Sequence, residues 1–129
     1  MFLSSLNQRQ KEAFICLAYN VVVSDGDLTM SEQVMMEEMR REMDLNPTFK
    51  ARYLDIEGIE SIFDSRRSRA IALISLIRLG YADGAFDIEE QCFLKDLSHA
   101  FAISEDEFNL IDNWVRRLMS LEREANSFM

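Results

Sequence analysis

The sequence is poor in residues that form tight turns and covalent cross-links. Its 129 residues include one proline, four glycines and two cysteines. So few turn-forming residues disfavour a sheet-rich protein with many hairpins, and two cysteines cannot supply a disulfide framework. A basic excess is also missing, because the formal net charge is −9. Phosphate backbones and anionic lipid surfaces are bound by clustered lysine and arginine. We therefore expect neither nucleic acid nor a membrane surface as a partner.

Long apolar runs are absent as well. The most apolar stretch covers residues 13–23, well short of the ~20 residues that a membrane-spanning helix needs. The first residues lack the basic start and long apolar core of a secretory signal peptide. Cys16 and Cys92 lie in apolar stretches, and we expect both to be buried free thiols. The sequence therefore predicts a cytoplasmic protein without direct membrane insertion.

Apolar residues at helical spacing are what the chain has in abundance. Apolar residues make up 48% of the sequence, enough for one substantial core. Residues 13–23 and 70–79 are apolar on nearly every side, which is typical of buried helices. We predict an all-α, single-domain helical bundle of about six to seven helices. The helices are expected near residues 6–23, 30–43, 47–54, 66–81, 88–101 and 105–123, with a short irregular or helical piece at 55–64.

Each of the two apolar helices is followed by the same motif. Residues 24–33 read SDGDLTMSEQ, and residues 82–91 read ADGAFDIEEQ, which align at a shift of 58 positions. The alignment continues without a gap through three apolar pairs, Met35 with Phe93, Met39 with Leu97 and Met43 with Phe101. We therefore predict two repeats related by a pseudo-twofold axis within one domain of residues 1–129. Repeat one covers about 10–54, a linker 55–65, and repeat two about 66–123.

The motif has a physical interpretation as a helix end and turn. Gly26 and Gly84 follow a helix and are expected to close its last turn in the left-handed conformation. Leu28 and Phe86 are then expected to enter the core. Asn46-Pro47 is expected to open the helix over residues 47–54 in the way that a capped, proline-containing first turn does.

Helix capping explains part of the acidity of the motif. Thr29 and Asp87 are predicted to be N-caps of the helices that follow the turns. Glu32 and Glu90 lie three residues further on, where a glutamate completes a capping box. The two glutamates can therefore be explained without any ligand.

The calcium loop of an EF-hand is an alternative explanation of the motif. In both copies Asp-Gly, five residues and then Glu match the second half of such a loop. The positions that should supply its first two carboxylates hold other residues, Val21 and Val23 in one copy and Leu79 and Tyr81 in the other. Because Ca²⁺ takes six to eight oxygen ligands, the sequence disfavours a high-affinity EF-hand.

A buried helix ending in Ser/Ala-Asp-Gly, then an apolar residue and an acidic capping box, resembles the TerB-like domains. These are tellurite-resistance-associated helical domains, also found at the N-terminus of a membrane-bound J-domain co-chaperone. The resemblance covers roughly residues 10–120, and residues 79–90 form the closer copy. It implies an all-helical fold of two related halves, and divalent metal binding by acidic clusters near the Asp-Gly turns. It also implies a role in stress response or as an interaction module, without catalysis.

Candidate metal ligands follow from the resemblance and from the carboxylates around the turns. A carboxylate site suits a hard divalent cation such as Ca²⁺, Mg²⁺ or Mn²⁺. The second turn ranks ahead of the first, because Thr29 and Ser31 stand where the second copy has Asp87 and Glu89. In that order the candidates are Asp83, Asp87, Glu89 and Glu90, followed by Asp25, Asp27 and Glu32.

No catalytic constellation is recognisable around the single histidine, His99, so we predict a non-enzymatic protein. The resemblance to the TerB-like domains implies that it acts in bacterial stress response. The alternative function is a metal-independent protein–protein interaction module. Its binding surface would be the methionine-rich helix at 30–43 or the basic segment Arg66–Arg69. We expect an unidentified protein partner. Surplus apolar surface around Trp114 on the last helix would serve a partner or a homodimer.

Overall fold

The structure, a computed structural model, describes residues 1–24, 26, 28–84 and 87–129. Over these residues the chain is all-helical and contains no strand, so the predicted all-α class is confirmed. None of the helices in these ranges is long and apolar enough to cross a membrane. The elements are a short 3-10 turn Leu3–Ser5, α1 Gln8–Val23, α2 Met30–Met43, α3 Ile59–Ile62, α4 Arg66–Gly80, α5 Ile88–Ala100 and α6 Glu105–Asn126.

The core is built around α1 and α4, which pack against each other. Both helices bury residues on nearly every side, as their continuous apolar sequences predict. Phe14 and Leu17 of α1 and Leu73 and Leu76 of α4 are fully buried. Removing each such side chain from water stabilises the fold by roughly 1.5–3 kcal/mol. This pair therefore provides the apolar centre on which the other helices pack.

The outer helices contribute one buried face each. Met39 and Met43 of α2 are buried, as are Leu97 of α5 and Phe101 at its C-terminal end, which confirms the predicted four-residue apolar spacing at these positions. Met35 and Phe93, the first pair of the predicted series, are only partly buried. Helix α6 packs on α4 and α5. Because only one face of each outer helix is covered, the opposite faces of α2, α5 and α6 are open to solvent.

Helix starts are set by side chains that satisfy unpaired backbone N–H groups. The Ser65 hydroxyl accepts a hydrogen bond from the backbone N–H of Ser68, which allows α4 to begin despite the arginines of its first turn. Equivalent caps at α1 and α6 are provided by Asn7 and Ser104. Each such cap contributes typically about 1 kcal/mol.

The predicted helix over residues 47–54 is wrong, since the chain there is irregular. The Asn46 side-chain oxygen accepts a 2.9 Å hydrogen bond from the N–H of Thr48, as a cap would, but the bond closes only a turn and no helix follows it. The buried Asn20 side chain then binds Leu54 through both backbone groups. It donates to the Leu54 carbonyl at 2.6 Å and accepts from the Leu54 N–H at 3.1 Å. Two hydrogen bonds from a side chain of α1 thus hold this segment, and they take the role that backbone hydrogen bonds would have in a helix.

Two burial predictions are also corrected. Leu28 is 48% exposed rather than in the core, because it precedes the N-cap of α2 and lines a surface groove beside α1. Cys16 is buried as predicted, whereas Cys92 is exposed, and both are free thiols. Cys92 lies on the side of α5 opposite Leu94 and Leu97, which face the core. The prediction that Phe86 enters the core falls outside the described residues.

Candidate functional site

Both turns bend at glycine, as the motif predicts. Gly26 has a φ of 85° and Gly84 a φ of 96°, values that L-residues with a side chain rarely adopt. The N–H of Gly26 donates to the carbonyl of Val23, and the N–H of Gly84 donates to that of Tyr81. Each turn is therefore tied to the end of the helix that precedes it.

A side-chain hydrogen bond joins the two turn regions to each other. The Thr29 hydroxyl at the start of α2 lies 2.9 Å from Oδ1 of Asp83, which follows α4. The two residues are 54 positions apart, and each belongs to a different copy of the motif. The exposed Asp83 carboxylate is thus placed at the N-terminus of α2, where the helix dipole favours negative charge.

The Glu32 side chain caps the start of α2. It is 2% exposed, and its Oε1 accepts from the backbone N–H of Thr29 at 3.0 Å. The backbone N–H of Glu32 in turn donates to the Thr29 hydroxyl, so the predicted capping box is confirmed. Oε1 of Glu32 also lies 3.1 Å from the Thr29 hydroxyl oxygen. The single hydroxyl proton is therefore positioned between the carboxylates of Glu32 and Asp83.

At the second turn, Asp87 and Glu89 form a pair of carboxylates. Oδ1 of Asp87 caps α5 by accepting from the backbone N–H groups of Glu89 and Glu90, at 2.8 and 3.4 Å. The Glu89 side chain is also in hydrogen-bonding contact with the Asp87 carboxylate. This contact is the largest cause of a lowered pKa of Asp87, with the two backbone N–H groups adding to it. The capping prediction for Asp87 is confirmed.

The seven predicted ligands fall into three groups. Accessible carboxylates are provided by Asp83, Asp87 and Glu89. Buried carboxylates, at 2% and 4% exposure, belong to Glu32 and Glu90. Outside the described residues lie Asp25 and Asp27. Among the residues that the structure does describe, no group of three or more Asp, Glu, His or Cys side chains is arranged to hold a metal ion.

A partly buried polar cluster behind the second turn was not predicted. The Tyr81 hydroxyl donates to Oδ1 of Asp112 at 2.7 Å, and Nε of Arg116 donates to the Tyr81 oxygen at 2.7 Å. The Arg116 guanidinium also lies 3.3 Å from Oδ2 of Asp112. Burial and then the Asp112 hydrogen bond raise the pKa of Tyr81 to about 12. This cluster fastens the end of α4, two residues before Asp83, onto α6.

One sequence signal could have revealed this cluster. Asp112 is four residues after Phe108 and three before Val115, both of which are buried in the core. A carboxylate on the apolar face of an amphipathic helix requires a hydrogen-bonding partner when buried. Its partner, Tyr81, could not be identified from sequence, because the contact spans 31 residues.

A groove of about 570 Å³ opens beside the first turn. It lies between α1, α2 and residues 47–51, and its lining is largely apolar, including Tyr19, Leu28 and Met36. Arg40 lies in the same groove and donates a 2.9 Å hydrogen bond to the Phe49 carbonyl. Of the α2 methionines only Met36 lines this groove. Met30 is 73% exposed at the start of the helix.

The basic segment at the start of α4 is largely used within the fold. Arg66 forms an ion pair with Glu107 of α6. Arg69 donates to three backbone carbonyls, those of Phe63, Glu60 and Phe101, at 2.6, 3.0 and 3.2 Å. These bonds satisfy carbonyls of the linker and of the α5 end. Arg66 and Arg69 of this segment therefore mainly stabilise the fold.

Comparison with known proteins adds no relative: no protein-family model, no curated protein and no solved structure matches the chain. Its function is therefore inferred from its own side chains. The accessible carboxylates Asp83, Asp87 and Glu89, close to a helix start in each half, define the candidate site.

Proposed function

We propose that the chain is a non-enzymatic TerB-like domain of two related repeats, which binds a divalent cation weakly at its Asp-Gly turns in bacterial stress response. The observation that carries the cation site is the contact between Asp87 and Glu89. Two adjacent carboxylates repel each other when both are ionised, and a divalent cation between them removes that repulsion. Asp83 is held near the start of α2 by Thr29, and its carboxylate would be a further oxygen ligand for a cation at the Asp-Gly turns.

The donor set suits a hard cation and weak binding. Ca²⁺, Mg²⁺ and Mn²⁺ prefer oxygen ligands, and Ca²⁺ takes six to eight of them. One oxygen of Asp87 already caps α5, and one oxygen of Asp83 accepts from Thr29. Few carboxylate oxygens remain, so water would fill the other positions and we expect a dissociation constant of about a millimolar. At the first turn, Asp25, the counterpart of Asp83, and its neighbour Asp27 would contribute further carboxylates.

Glu32 and Glu90 are assigned a structural role in this proposal. Both are buried in the first turn of a helix, at equivalent positions of the motif. Glu32 completes the capping box of α2, so a cation bound to it would compete with the hydrogen bonds that start that helix. The equivalent placement of these glutamates, of the positive-φ glycines and of the N-caps Thr29 and Asp87 also supports the proposed repeat.

The metal proposal is tested by titrating Mn²⁺, Ca²⁺ and Mg²⁺ separately, with calorimetry and with backbone-amide NMR. We expect saturable shifts at Gly84, Asp87 and Glu89 and a higher melting temperature. Asp87→Asn combined with Glu89→Gln should abolish the response while keeping the cap, because asparagine is as good an N-cap as aspartate. The matched control is Glu105→Gln, an exposed acid in the first turn of α6. A flat titration of the wild type at millimolar metal would refute the proposal.

A metal-independent interaction module is the second candidate function. It is favoured by the apolar groove beside the first turn and by the exposed side chains of Leu28, Met30 and Val34. Binding of this kind would survive a chelator and the double change Asp87→Asn, Glu89→Gln, which removes the proposed cation site. It would be weakened by Met36→Glu within the groove. Loss of a captured partner on chelation would instead support the cation site.

A further inference from the structure

Three arginines of the described chain are half-buried, and they differ in how many hydrogen bonds their guanidinium groups make. Arg69 donates to three backbone carbonyls, through Nε, Nη1 and Nη2. Arg78 donates twice to the Glu122 carboxylate of α6, at 2.6 and 3.3 Å. Arg40 makes one hydrogen bond, from Nη1 to the Phe49 carbonyl. Its Nε and Nη2 donors therefore have no partner within the residues that the structure describes.

The positive charge of Arg40 is also unbalanced. Although the chain has 23 acidic residues, no carboxylate of the described residues forms an ion pair with Arg40. Taking a charge out of water costs free energy unless the charge is paired. Glu37 lies in the same groove, one turn before Arg40 on α2, but forms no ion pair with it in this part of the structure. The bond to Phe49 thus holds a guanidinium at the groove with donors left for an anion.

The groove beside the first turn has a cationic end and an apolar end. Arg40 and Lys50 line the same end, because the carbonyl that Arg40 binds belongs to Phe49, the residue before Lys50. Val22 of α1 and Leu28, just before α2, line the other end. Arg40 lies ten residues after the start of α2, which is about 15 Å along the helix. The groove is therefore polarised along its length.

We infer that this groove binds a small amphipathic carboxylate, an acid with an aliphatic or aromatic tail of medium length. The carboxylate pairs with Arg40, whose planar fork matches its two oxygens, and Lys50 adds a second positive charge. The tail lies along Tyr19 and Met36 towards Leu28. The groove volume of about 570 Å³ is within the range of small-molecule sites. The inference goes beyond the proposed function, because it gives the groove a ligand of its own, independent of the cation site.

Both parts of the ligand are required for binding. The formal net charge of −9 repels small anions. Within the groove, the two cations Arg40 and Lys50 face one carboxylate, that of Glu37, so the local excess is a single positive charge. An anion without a tail is therefore held too weakly, and a tail without a charge leaves Arg40 unpaired. An acid with an apolar tail satisfies both ends of the groove.

Octanoate, octanol and acetate test the two parts separately, with methyl and arginine side-chain NMR as the measurement. Octanoate should give saturable shifts of the Met36 methyl and of the Arg40 Nε–H, with a dissociation constant of roughly a millimolar. Octanol should bind about tenfold more weakly, because it lacks the charged hydrogen bonds, and acetate should cause no shifts. Hexanoate should bind severalfold more weakly than octanoate. Absent shifts well above a millimolar octanoate, or octanol binding as tightly as octanoate, would overturn the inference.

Arg40→Gln removes the cation and should weaken octanoate binding about tenfold, with octanol binding unchanged. Arg41→Gln makes the same change at an exposed neighbour outside the groove and should alter neither. Because Arg40→Gln also changes the bond to Phe49, Arg40→Lys is a second variant that keeps the charge without the planar fork, and its affinity should be intermediate. Equal effects of the two glutamine variants, or no loss in Arg40→Gln, would contradict the assignment.

A variant with the opposite effect cannot be explained by a loss of folding. Glu37→Gln removes the carboxylate that shares the groove with Arg40, so the octanoate affinity should rise severalfold. Glu38→Gln, the same change at an exposed neighbour outside the groove, is the control and should have little effect. Unchanged or weaker binding in Glu37→Gln would show that the ligand carboxylate does not lie at this end.

The groove and the cation site are separable by the same titration. Octanoate binding should persist in the presence of a chelator and in the variant Asp87→Asn, Glu89→Gln. A flat metal titration combined with octanoate binding would remove only the metal proposal. Failure of the wild type to bind octanoate would overturn the present inference and leave the metal proposal standing.

Discussion

The Thr29 hydroxyl donates to Asp83 across 54 residues of sequence, and so connects the start of α2 to the turn after α4. Thr29 is at the same time the N-cap of α2. One side chain therefore serves both the local helix start and the contact between the two turn regions. Stability and the geometry of the candidate site are linked at this residue.

Thr29→Val should destabilise the protein by about 1–2 kcal/mol, because it removes an N-cap while keeping the shape of the side chain. Thr29→Ser keeps a hydroxyl and should lose less than about 0.5 kcal/mol. Urea unfolding at neutral pH measures both values. Amide shifts at Asp83 and Gly84 should accompany the valine change only. A valine variant as stable as the wild type would show that this hydroxyl contributes nothing.

Asn20→Ala should release the segment before α3. Asn20 is 3% exposed and makes two hydrogen bonds to the Leu54 backbone. Leaving buried partners unsatisfied costs about 1–3 kcal/mol. Hydrogen exchange at the Leu54 amide should accelerate more than exchange in α4. Asn46→Ala, which removes an exposed turn bond, is the control and should lower stability by less than about 1 kcal/mol. Unchanged hydrogen-exchange protection of the Leu54 amide would show that the Asn20 side chain does not hold this segment.

Tyr81 should make stability fall with pH on the alkaline side. Its pKa is raised from 10.0 to about 12, so the folded state keeps the phenol proton after the unfolded state has lost it. The stabilisation is complete below about pH 10 and disappears as pH rises to about 12. Denaturant unfolding at stepped alkaline pH should show this decline in the wild type and a smaller one in Tyr81→Phe. Tyrosinate absorbance should lose its component near pH 12 in that variant. Identical pH profiles would refute the assignment.

Local sequence signals predicted the helices well. The predicted bounds of the second helix, 30–43, agree with α2 at Met30–Met43. Its cap, its glutamate three residues on and its four-residue apolar spacing all act within one or two turns of helix. The same signals located α5 and the start of α6 at Glu105. Helix bounds, N-caps and buried faces, which depend on residues close in sequence, could therefore be predicted without a structure.

Contacts between distant residues were not accessible in this way. Asn46-Pro47 has the local features of a helix start, yet Asn20 of α1 captures Leu54 and the segment stays irregular. The candidate site also combines features that the sequence predicted with features that it did not. Its residue types were predicted from the motif, whereas the burial of Glu90 and the bond from Thr29 to Asp83 depend on how the two halves pack.

Thiol reactivity tests the packing of α1 and α5 directly. Cys92 is exposed and Cys16 is 6% exposed. An aromatic disulfide reagent should therefore titrate one thiol per chain in the native state and two in denaturant. Cys92→Ser should abolish the native reaction, whereas Cys16→Ser should retain it, with some loss of stability from the core. Because Cys92 lies opposite the buried face of α5, a slow native reaction would show that this helix is rotated or covered. Two rapid thiols would show that α1 is not held in the core.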